Sequence, residues 1–452
     1  MSAVPDKEQR KDTLQLFTDI LHQGDVEQIA QQLREMHPAE IAHLLESLPS
    51  DQRRTVWEHV PGEMEGEVLT NVNEEVRASL MEKMAPDQLV AATESLETDD
   101  LADLLPEMPQ DVIQELLLTM EQQDRDRLRS ALSYDEDTAG GLMNLDAVMV
   151  RAGISLDVVL RYLRRRGEIP EATDNLYVVD REGHYLGSLP LTTLLTHAPD
   201  ELVDAVMLTD EEPIPAEMPA RDVAIRFEQR DLISAPVVDV NGILLGRVTI
   251  DDVVDVIIDD AEHSLMSMAG LNEEEDMFAP VITSTKRRAV WLGINLLTAL
   301  LAAWVIGQFE GTIQKLVALA VLMPIVASMG GIAGTQTLTL VIRGIALGQI
   351  TGSNARQLLT KELWVSAWNG LLWALVIGGI AYAWFGNAKL GVVIGAAIIL
   401  NLLIAAVAGA TVPLLLRRIG ADPALGGGVV LTTITDVMGF FVFLGLASVF
   451  LV

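Results

Sequence analysis

The sequence contains no cysteine, so disulfide bonds and thiolate metal sites are excluded. This composition is consistent with a reducing compartment. The sequence also lacks a Gly-x-x-x-x-Gly-Lys-Ser/Thr loop, the backbone cradle that binds nucleotide phosphates in many ATPases. An ATP-driven pump is therefore disfavoured, and we expect the protein not to be an enzyme.

Basic residues are scarce, with 31 Lys and Arg against 64 Asp and Glu and a net charge of −33. The imbalance is uneven: the part of the chain that ends at Pro280 has 21 basic and 60 acidic side chains, whereas the rest has ten and four. Such a field repels nucleic acid and anionic lipid and attracts cations. Bound divalent cations would relieve the repulsion within the acidic part.

Half of the residues are hydrophobic despite this charge, a combination typical of a membrane domain joined to an acidic soluble domain. Five apolar segments each reach the roughly 20 residues needed to cross a bilayer. They are residues 289–309, 313–342, 363–385, 390–416 and 428–452.

Basic side chains flank these segments unevenly. Three precede the first span, three lie between the second and third, and two lie between the fourth and fifth. By the positive-inside rule the N-terminus is cytoplasmic and the C-terminus lies outside. The polar, charged start does not look like a signal peptide. We therefore expect a multi-pass protein of the cytoplasmic (inner) membrane, surrounded by the lipid bilayer.

Asp436 is the only charged residue in the last apolar segment. It lies roughly 10–13 Å along that helix, near the bilayer midplane. A carboxylate there costs on the order of 3 kcal/mol and normally faces a cavity or a pore. It is either a packing residue that is protonated or hydrogen-bonded by Thr432, Thr433 and Thr435, or a cation site, which we favour.

The second span contains Pro324 followed by Gly330, Gly331 and Gly334. This pattern predicts a broken helix with exposed backbone carbonyls, which lipid tolerates only in a protein-lined cavity. Close packing of small residues between helices is the alternative.

The N-terminal part of the chain, to about position 130, shows helical periodicity and an internal repeat, because the pattern of residues 37–49 returns at 97–109. A small helical array is predicted. We interpret His37, His43 and His59 as surface or capping residues, since no metal-ligand spacing joins them.

Residues 135–260 contain a sharper repeat with an offset of 59. Asp180, Gly183 and Gly187 return as Asp239, Gly242 and Gly246. Each copy reads as strand, Asp/Gly turn, strand and helix, with helices at 191–196 and 250–259. The pair resembles tandem CBS modules, which often bind adenine nucleotides, so ATP is a possible partner.

An acidic helix is predicted from Asp251 to about Ala269. Asp252, Asp255 and Asp259 share one face at i, i+3 and i+7, where like charges repel. They form either a solvated face or a set of oxygen ligands for divalent cations.

With these features together, the chain resembles the MgtE family of magnesium channels over nearly its whole length. The motifs that carry the resemblance are YDEDTAGGLM at 134–143, the Pro and Gly-Gly-x-x-Gly-x-Gln run of span two, Lys361-Glu362, Asp422-Pro423-Ala424 and TTITDVMG at 432–439. The implied fold is a mostly α membrane protein. Its domains are a helical-repeat N-domain (1–132), two α/β CBS modules (133–200 and 201–258), a connecting or plug helix (259–284) and a five-helix transmembrane domain (285–452).

The resemblance implies a homodimer with a pore lined by spans two and five. Asp436 of each subunit would hold a hydrated Mg²⁺, which is both the transported ion and the only cofactor expected. The other pore-lining positions are Gly331, Ile332, Thr335, Gln336, Thr432 and Gly439. Internal Mg²⁺ would close the pore by bridging acidic residues of the N-domain, second CBS module and connecting helix. The matching positions are Asp99, Asp103, Asp231, Asp252 and Asp255.

Two positions depart from the family. Ile332 stands where an Asn usually follows the Gly-Gly pair, which leaves selectivity among Mg²⁺, Mn²⁺, Co²⁺ and Ni²⁺ open. His263 and Ser264 stand where further carboxylates are expected, so the number of closing sites is open.

Two rival functions remain at this stage. A coupled transporter would use Asp436 to exchange protons or sodium for a divalent cation, but the spans have no relay of ionisable groups. A membrane-tethered adenine-nucleotide sensor would need neither an intramembrane Asp nor the pattern of span two.

Overall fold

The computed structural model describes residues 7–452 except 24, 94, 95, 97, 121, 123, 124, 126, 127, 130, 131, 171, 273, 274 and 351–353. The chain divides into two compact units. The first comprises the residues up to Glu262 and a short segment that ends at Ala279; the second comprises His263–Glu273 and Pro280–Val452. Each unit has its own buried apolar clusters.

Short amphipathic helices form the first part of unit one. Their apolar residues recur every three or four positions, so each helix buries one face. The His37 ring accepts the backbone N–H of Ala39 at the start of the third helix, which confirms a capping role for this histidine. The helices are α1 (Lys7–Gln23), α2 (Val26–Leu33), α3 (Pro38–Glu46), α4 (Ser50–Trp57), α5 (Glu65–Asn71), α6 (Glu74–Met81), α7 (Pro86–Thr93), α8 (Thr98–Leu104) and α9 (Gln110–Thr119).

Two three-stranded sheets follow, each with one parallel and one antiparallel pairing. The register shifts at equivalent points, after Val178 in the first sheet and after Val237 in the second, which confirms the internal repeat. The elements are β1 (Met149–Arg151), α10 (Leu156–Arg166), β2 (Asn175–Val179), β3 (Tyr185–Pro190), α11 (Leu191–Thr196), α12 (Val203–Val206), β4 (Ile214–Pro215), α13 (Ala220–Arg230), β5 (Ser234–Val238) and β6 (Leu244–Thr249).

The predicted acidic helix is α14 (Ile250–Ala269), which begins directly after β6. Gly270 follows it with φ of 72°, the left-handed conformation that commonly terminates helices. A side chain at Gly270 would collide with the Trp291 ring. The next helix begins at Val281.

A buried ion pair fixes the segment between these two helices to the N-terminal helices. Arg53 donates from Nη1 and Nη2 to the two carboxylate oxygens of Asp276, at 2.8 and 2.9 Å. Its Nε and Nη2 also donate to the carbonyls of Leu45 and Leu48. The side chains of Arg53 and Asp276 are 2% and 6% exposed. Because solvent does not reach them, each charge is stabilised by the other and by these hydrogen bonds.

Arg53→Ala is expected to destabilise the first unit by about 3–5 kcal/mol, because it leaves the Asp276 carboxylate buried without its partner. Thermal unfolding in detergent measures this. Arg54→Ala is the matched control, since Arg54 and Glu58 form an exposed pair with Nε and Oε1 3.9 Å apart, and such pairs contribute about 0–1 kcal/mol. Equal shifts in the two variants would contradict the assignment.

Within the described residues, five helices of unit two are long and apolar enough to cross a membrane. In the apolar window of the fourth, 61% of the residues are buried, against 11–28% in the other four, so that helix is central. They are α15 (Val281–Gly307), α17 (Ala318–Ala346), α18 (Ala355–Phe385), α19 (Ala388–Arg418) and α20 (Pro423–Phe450); the short α16 (Glu310–Lys315) precedes α17.

The number of spans is as predicted, but several boundaries differ: the first span begins at Val281 rather than 289 and the last at Pro423 rather than 428. The predicted span from residue 313 combines the end of α16 with α17, since the backbone leaves helical geometry at Leu316 (φ −139°, ψ 83°). Helix α18 begins at Ala355, well before the predicted start at 363. Apolar composition marks the part of a helix that suits lipid, whereas hydrogen bonding continues through polar residues.

Candidate functional site: a carboxylate in the membrane-spanning helices

Asp436 lies in the middle of α20, between Pro423 and Phe450. It is half-buried, and within the described part of the chain it has no hydrogen-bond or ion-pair partner. Thr432 lies one turn earlier on the same face and is exposed in the single chain. This face of α20 thus combines a carboxylate with a hydroxyl.

The nearby threonines do not donate to Asp436. Thr432 and Thr433 donate to the carbonyls of Gly428 and Val429, at 2.8 and 2.7 Å, and Thr435 donates to the carbonyl of Thr432. Each hydroxyl is therefore used within its own helix. This bonding does not support the interpretation of Asp436 as a packing residue held by these threonines.

The glycines of span two lie in α17, where two of them contact neighbouring helices and one does not. A Cβ at Gly334 would lie 2.9 Å from Leu431 Cδ1 on α20, and a Cβ at Gly330 would overlap the Asn401 amide. Gly330 and Gly334 are thus close-packing positions, as the alternative interpretation held. A Cβ at Gly331 would meet nothing within 4 Å.

The expectation of a broken second span is wrong. Helix α17 continues from Ala318 to Ala346 through Pro324 and all three glycines. Neighbouring helices pack against one side of this stretch, where Gly330 and Gly334 are needed for close contact rather than for unwinding.

The predicted pore positions on α17 are accessible in the single chain. Ile332, Thr335 and Gln336 are exposed or partly exposed, and Gly331 is partly exposed. Gly330 and Gly334, which belong to the same turns of α17, contact α19 and α20. The predicted stretches of spans two and five therefore both pack against Asn401 of α19, through Gly330 and Gly439.

Asn401, on α19, is a residue that the sequence interpretation missed. It is 1% exposed, and its Nδ2 donates to the carbonyl of Val326 on α17 at 2.9 Å. A Cβ at Gly439 would lie 2.8 Å from the same Nδ2, so the amide is wedged between α17 and α20. The sequence does single out this residue, because Asn401 is the only amide or charged side chain between Leu390 and Leu416.

Gly439 differs from the other predicted pore positions because it is buried against Asn401. Gly439→Ala is expected to cost about 1–3 kcal/mol by overpacking, since Gly330 blocks the retreat of the amide on its other side. Thermal unfolding in detergent should show a lower midpoint.

Gly445→Ala on the same helix is the control, because a Cβ there meets nothing within 4 Å. Alanine also has the higher helix propensity, so this variant is expected to unfold at the same temperature or above. A Gly439 variant as stable as the Gly445 variant would contradict the close packing of the Asn401 amide between α17 and α20.

Glu362, on α18, is a fully buried carboxylate of the membrane-spanning helices, in contrast to the half-buried Asp436. It accepts a hydrogen bond from Thr337 Oγ1 at 3.2 Å, and Lys361 Nζ lies 3.3 Å from its Oε1. The bond to Thr337 joins α18 to α17. It is therefore satisfied in a way that Asp436 is not.

The acidic face of α14 carries two of the predicted regulatory residues. Asp252 accepts from Thr249 Oγ1 at 2.8 Å. Burial raises the pKa of Asp252 to about 6. The hydrogen bonds from Thr249 oppose this rise, and the charges of Asp251 and Asp255 add to it. Burial and then Asp251 raise the pKa of Asp255. These carboxylates repel one another in the absence of a cation.

Asp231 ends α13 in a left-handed conformation, with φ of 52°. Asp99 and Asp103 belong to α8, but their side chains lie outside the described part of the chain. A further pair that the sequence interpretation missed is Glu46 of α3 and Glu262 of α14. Burial raises the pKa of Glu46 against the lowering effects of the Asn73 N–H and of the His43 and Arg53 charges, and Glu262 adds a smaller upward contribution.

The two departures from the family pattern have different surroundings. Ile332 is 58% exposed in the single chain. His263 lies near the first residue of the last helix: its Nε2 is 3.4 Å from Asp422 Oδ2, and Asp422 caps α20 by accepting the N–H groups of Ala424 and Leu425.

Three family models match this chain, in four regions. A model of the MgtE intracellular N domain matches residues 36–137, a CBS domain model matches 139–200 and 203–259, and the MgtE divalent cation transporter model matches 323–446.

Two relatives cover most of the chain. The magnesium transporter MgtE of Thermus thermophilus is 32% identical over 438 residues, 96% of this chain and 97% of the relative. The protein of the same name from Bacillus subtilis is 29% identical over 74% of each chain. Among solved structures, the cytosolic domain of the Mg²⁺ channel MgtE in complex with ATP is 32% identical, with a TM-score of 0.48 over 53% of this chain and 98% of that one.

Proposed function

The chain belongs to the MgtE family of magnesium transporters, and we propose that it forms a passive Mg²⁺ channel that intracellular Mg²⁺ closes. The observation that carries the proposal is Asp436, a carboxylate without a partner among the described residues, in the middle of an apolar helix. A group of this kind persists in a membrane when it faces water or an ion pathway.

The chemistry of Mg²⁺ fits such a site. Mg²⁺ loses its water reluctantly, so one or two carboxylates can hold the hydrated ion while its waters donate to nearby oxygens. Thr432 is exposed on the face of Asp436, and Thr335 and Gln336 are accessible on α17. Their side chains would accept hydrogen bonds from the waters of the ion. Ile332 supplies no such oxygen from its side chain.

The number of carboxylates supports a homodimer as part of this proposal. One Asp436 per chain makes only half of a ring, and a ring of carboxylates is a common cation filter. Two copies with their α17 and α20 faces around one axis would supply two Asp436 side chains. In this arrangement the N-terminal unit is cytoplasmic and the C-terminus lies outside, because the basic residues before span one, between spans two and three and between spans four and five all fall on the same side of the membrane as the N-terminus.

Closure by Mg²⁺ rests on the acidic cytoplasmic unit. Asp252 and Asp255 repel each other on α14, and Glu46 and Glu262 lie within electrostatic reach of one another. Without bound cations this repulsion favours an open arrangement, and bound Mg²⁺ would remove it. Asp99, Asp103 and Asp231 are further proposed ligands, and ATP at the CBS pair is a further proposed modulator.

The test is Mg²⁺ uptake into proteoliposomes under an imposed Mg²⁺ gradient, without ATP and with protons and sodium equal on both sides. An entrapped Mg²⁺ indicator reports the rate. The channel predicts saturable uptake under these conditions. Uptake that requires a proton or sodium gradient would instead establish the coupled transporter.

A further inference from the structure

The turn between β2 and β3 brings together two carboxylates and an imidazole. In Asp180, Glu182 and His184, one potential ligand atom from each side chain lies within 4.8 Å of the others. Asp180 Oδ2 and His184 Nδ1 are 2.9 Å apart. Asp180 and His184 are partly buried and Glu182 is exposed, so the group is accessible to ions.

The second CBS module contains the same turn without these ligands. Asp239 Oδ1 accepts the N–H groups of residues 241 and 243, at 2.9 and 2.8 Å, just as Asp180 Oδ1 accepts those of residues 182 and 184. The glycines at 183 and 242 have φ of 96° and 81°. The backbone of the turn therefore depends on the Asp and the Gly, which both copies have.

The two copies differ at the side chains that could bind a metal. When Asp180 is aligned with Asp239, Asn241 stands at the position of Glu182, and Ile243 stands at that of His184. Because the second turn forms the same hydrogen bonds without a Glu or a His, neither residue is needed for folding of the first. His184 Nδ1 and Asn241 Nδ2 each lie within hydrogen-bond distance of Oδ2 of the Asp in their own turn, so the first turn is distinguished by an imidazole and a second carboxylate beside that Asp.

Contacts between the two turns hold the group in place. Tyr185 N donates to the carbonyl of Gly242, and Leu244 N donates to that of Gly183, both at 3.0 Å. The backbone N–H of Ile243 lowers the pKa of Asp239, and the charge of His184 contributes to this, so a second-module carboxylate adds to the negative field around the imidazole. The backbone that carries Asp180 and His184 is thus held by the second turn, and the carboxylates around it create a field that attracts cations.

We propose that Asp180, Glu182 and His184 bind a transition-series divalent cation, of the class of Zn²⁺, Co²⁺ or Ni²⁺, at a site distinct from those for Mg²⁺. An imidazole favours these ions over Mg²⁺, which prefers oxygen ligands. The separation of 2.9 Å between Nδ1 and Oδ2 suits adjacent ligands, which lie about 3 Å apart around an octahedral ion with bonds of about 2.1 Å. Water completes the coordination, and the ion displaces the proton between the two atoms.

The test is equilibrium binding of Co²⁺ to the purified full chain in detergent, in excess Mg²⁺ that occupies the sites composed only of oxygen ligands. The variant E182N/H184I gives the first turn the side chains of the second, so its fold is expected to persist, which circular dichroism checks. Wild type should bind one more Co²⁺ per chain than this variant, with an affinity that falls as the pH is lowered. Equal stoichiometry in the two proteins would overturn the site.

His184→Gln provides a second, smaller change that keeps a polar side chain of similar size. Its affinity for Co²⁺ should be at least about tenfold lower, which corresponds to about 1.4 kcal/mol. An unchanged affinity would overturn the role of the imidazole. Displacement of Co²⁺ from this site by an equal concentration of Mg²⁺ would overturn the proposed class of cation.

Discussion

Asp436→Asn is expected to reduce Mg²⁺ uptake into proteoliposomes to the level of protein-free liposomes. The substitution keeps the size of the side chain and removes its charge, so a hydrated divalent cation loses its only charged partner in the apolar part of α20. The protein should still fold, because Asp436 has no hydrogen bond or ion pair within the described residues.

Glu310→Gln is the matched control for this experiment. It also neutralises one carboxylate of the membrane domain, but Glu310 is exposed in α16 and bonds to Gln314 within the same helix. Its uptake should equal that of wild type. Wild-type uptake in the Asp436 variant, with both variants folded and inserted, would move the ion site away from α20.

The double variant Asp252→Asn/Asp255→Asn is expected to conduct at internal Mg²⁺ concentrations that close the wild type. Burial raises the pKa of both carboxylates, and the charge of Asp251 adds to the rise at each, so their clustering costs free energy that a bound cation would recover. Loss of two ligands should raise the concentration for half-closure by at least about tenfold, or about 1.4 kcal/mol. Patch-clamp recording with varied internal Mg²⁺ measures this concentration.

The double variant Asp200→Asn/Asp204→Asn is the control for the loss of two negative charges, because it removes two exposed carboxylates from the region of the CBS pair. This variant should close at the wild-type concentration. If both double variants shift closure equally, the effect is a general field of the acidic unit, and Asp252 and Asp255 are not specific ligands.

Much of the fold could be predicted because it depends on local patterns. The internal repeat placed Asp180 and Asp239 in equivalent turns, and both form the same backbone hydrogen bonds. The acidic helix ends at Ala269 as expected, since Gly270 follows it. Apolar runs long enough to span a bilayer identified five helices.

The contacts that could not be predicted join residues far apart in the chain. Arg53 and Asp276 are 223 positions apart, and no local pattern connects them. The glycines of span two were interpreted as a break because sequence does not indicate which neighbour fills the space beside each one. Asn401 and Leu431 occupy that space at Gly330 and Gly334.

A residue of the candidate site could be recognised from sequence when its polarity differs strongly from that of its neighbours in the chain. Asp436 is conspicuous because a charge in an apolar helix is costly. Asn401 violates the same rule less strongly and was missed. Acidic residues on separate elements, such as Glu46 and Glu262, are ordinary in sequence, and their proximity is recognised only when the fold brings their charges together.

The most direct test of passive conduction is the reversal potential of the Mg²⁺ current in a planar bilayer, measured with opposing Mg²⁺ and proton gradients. A Mg²⁺ channel predicts a reversal potential that follows the Mg²⁺ gradient, about 30 mV for each tenfold ratio of a doubly charged ion, with no response to the proton gradient. A reversal potential that moves with the proton gradient would contradict the channel and show that Mg²⁺ movement is coupled to protons.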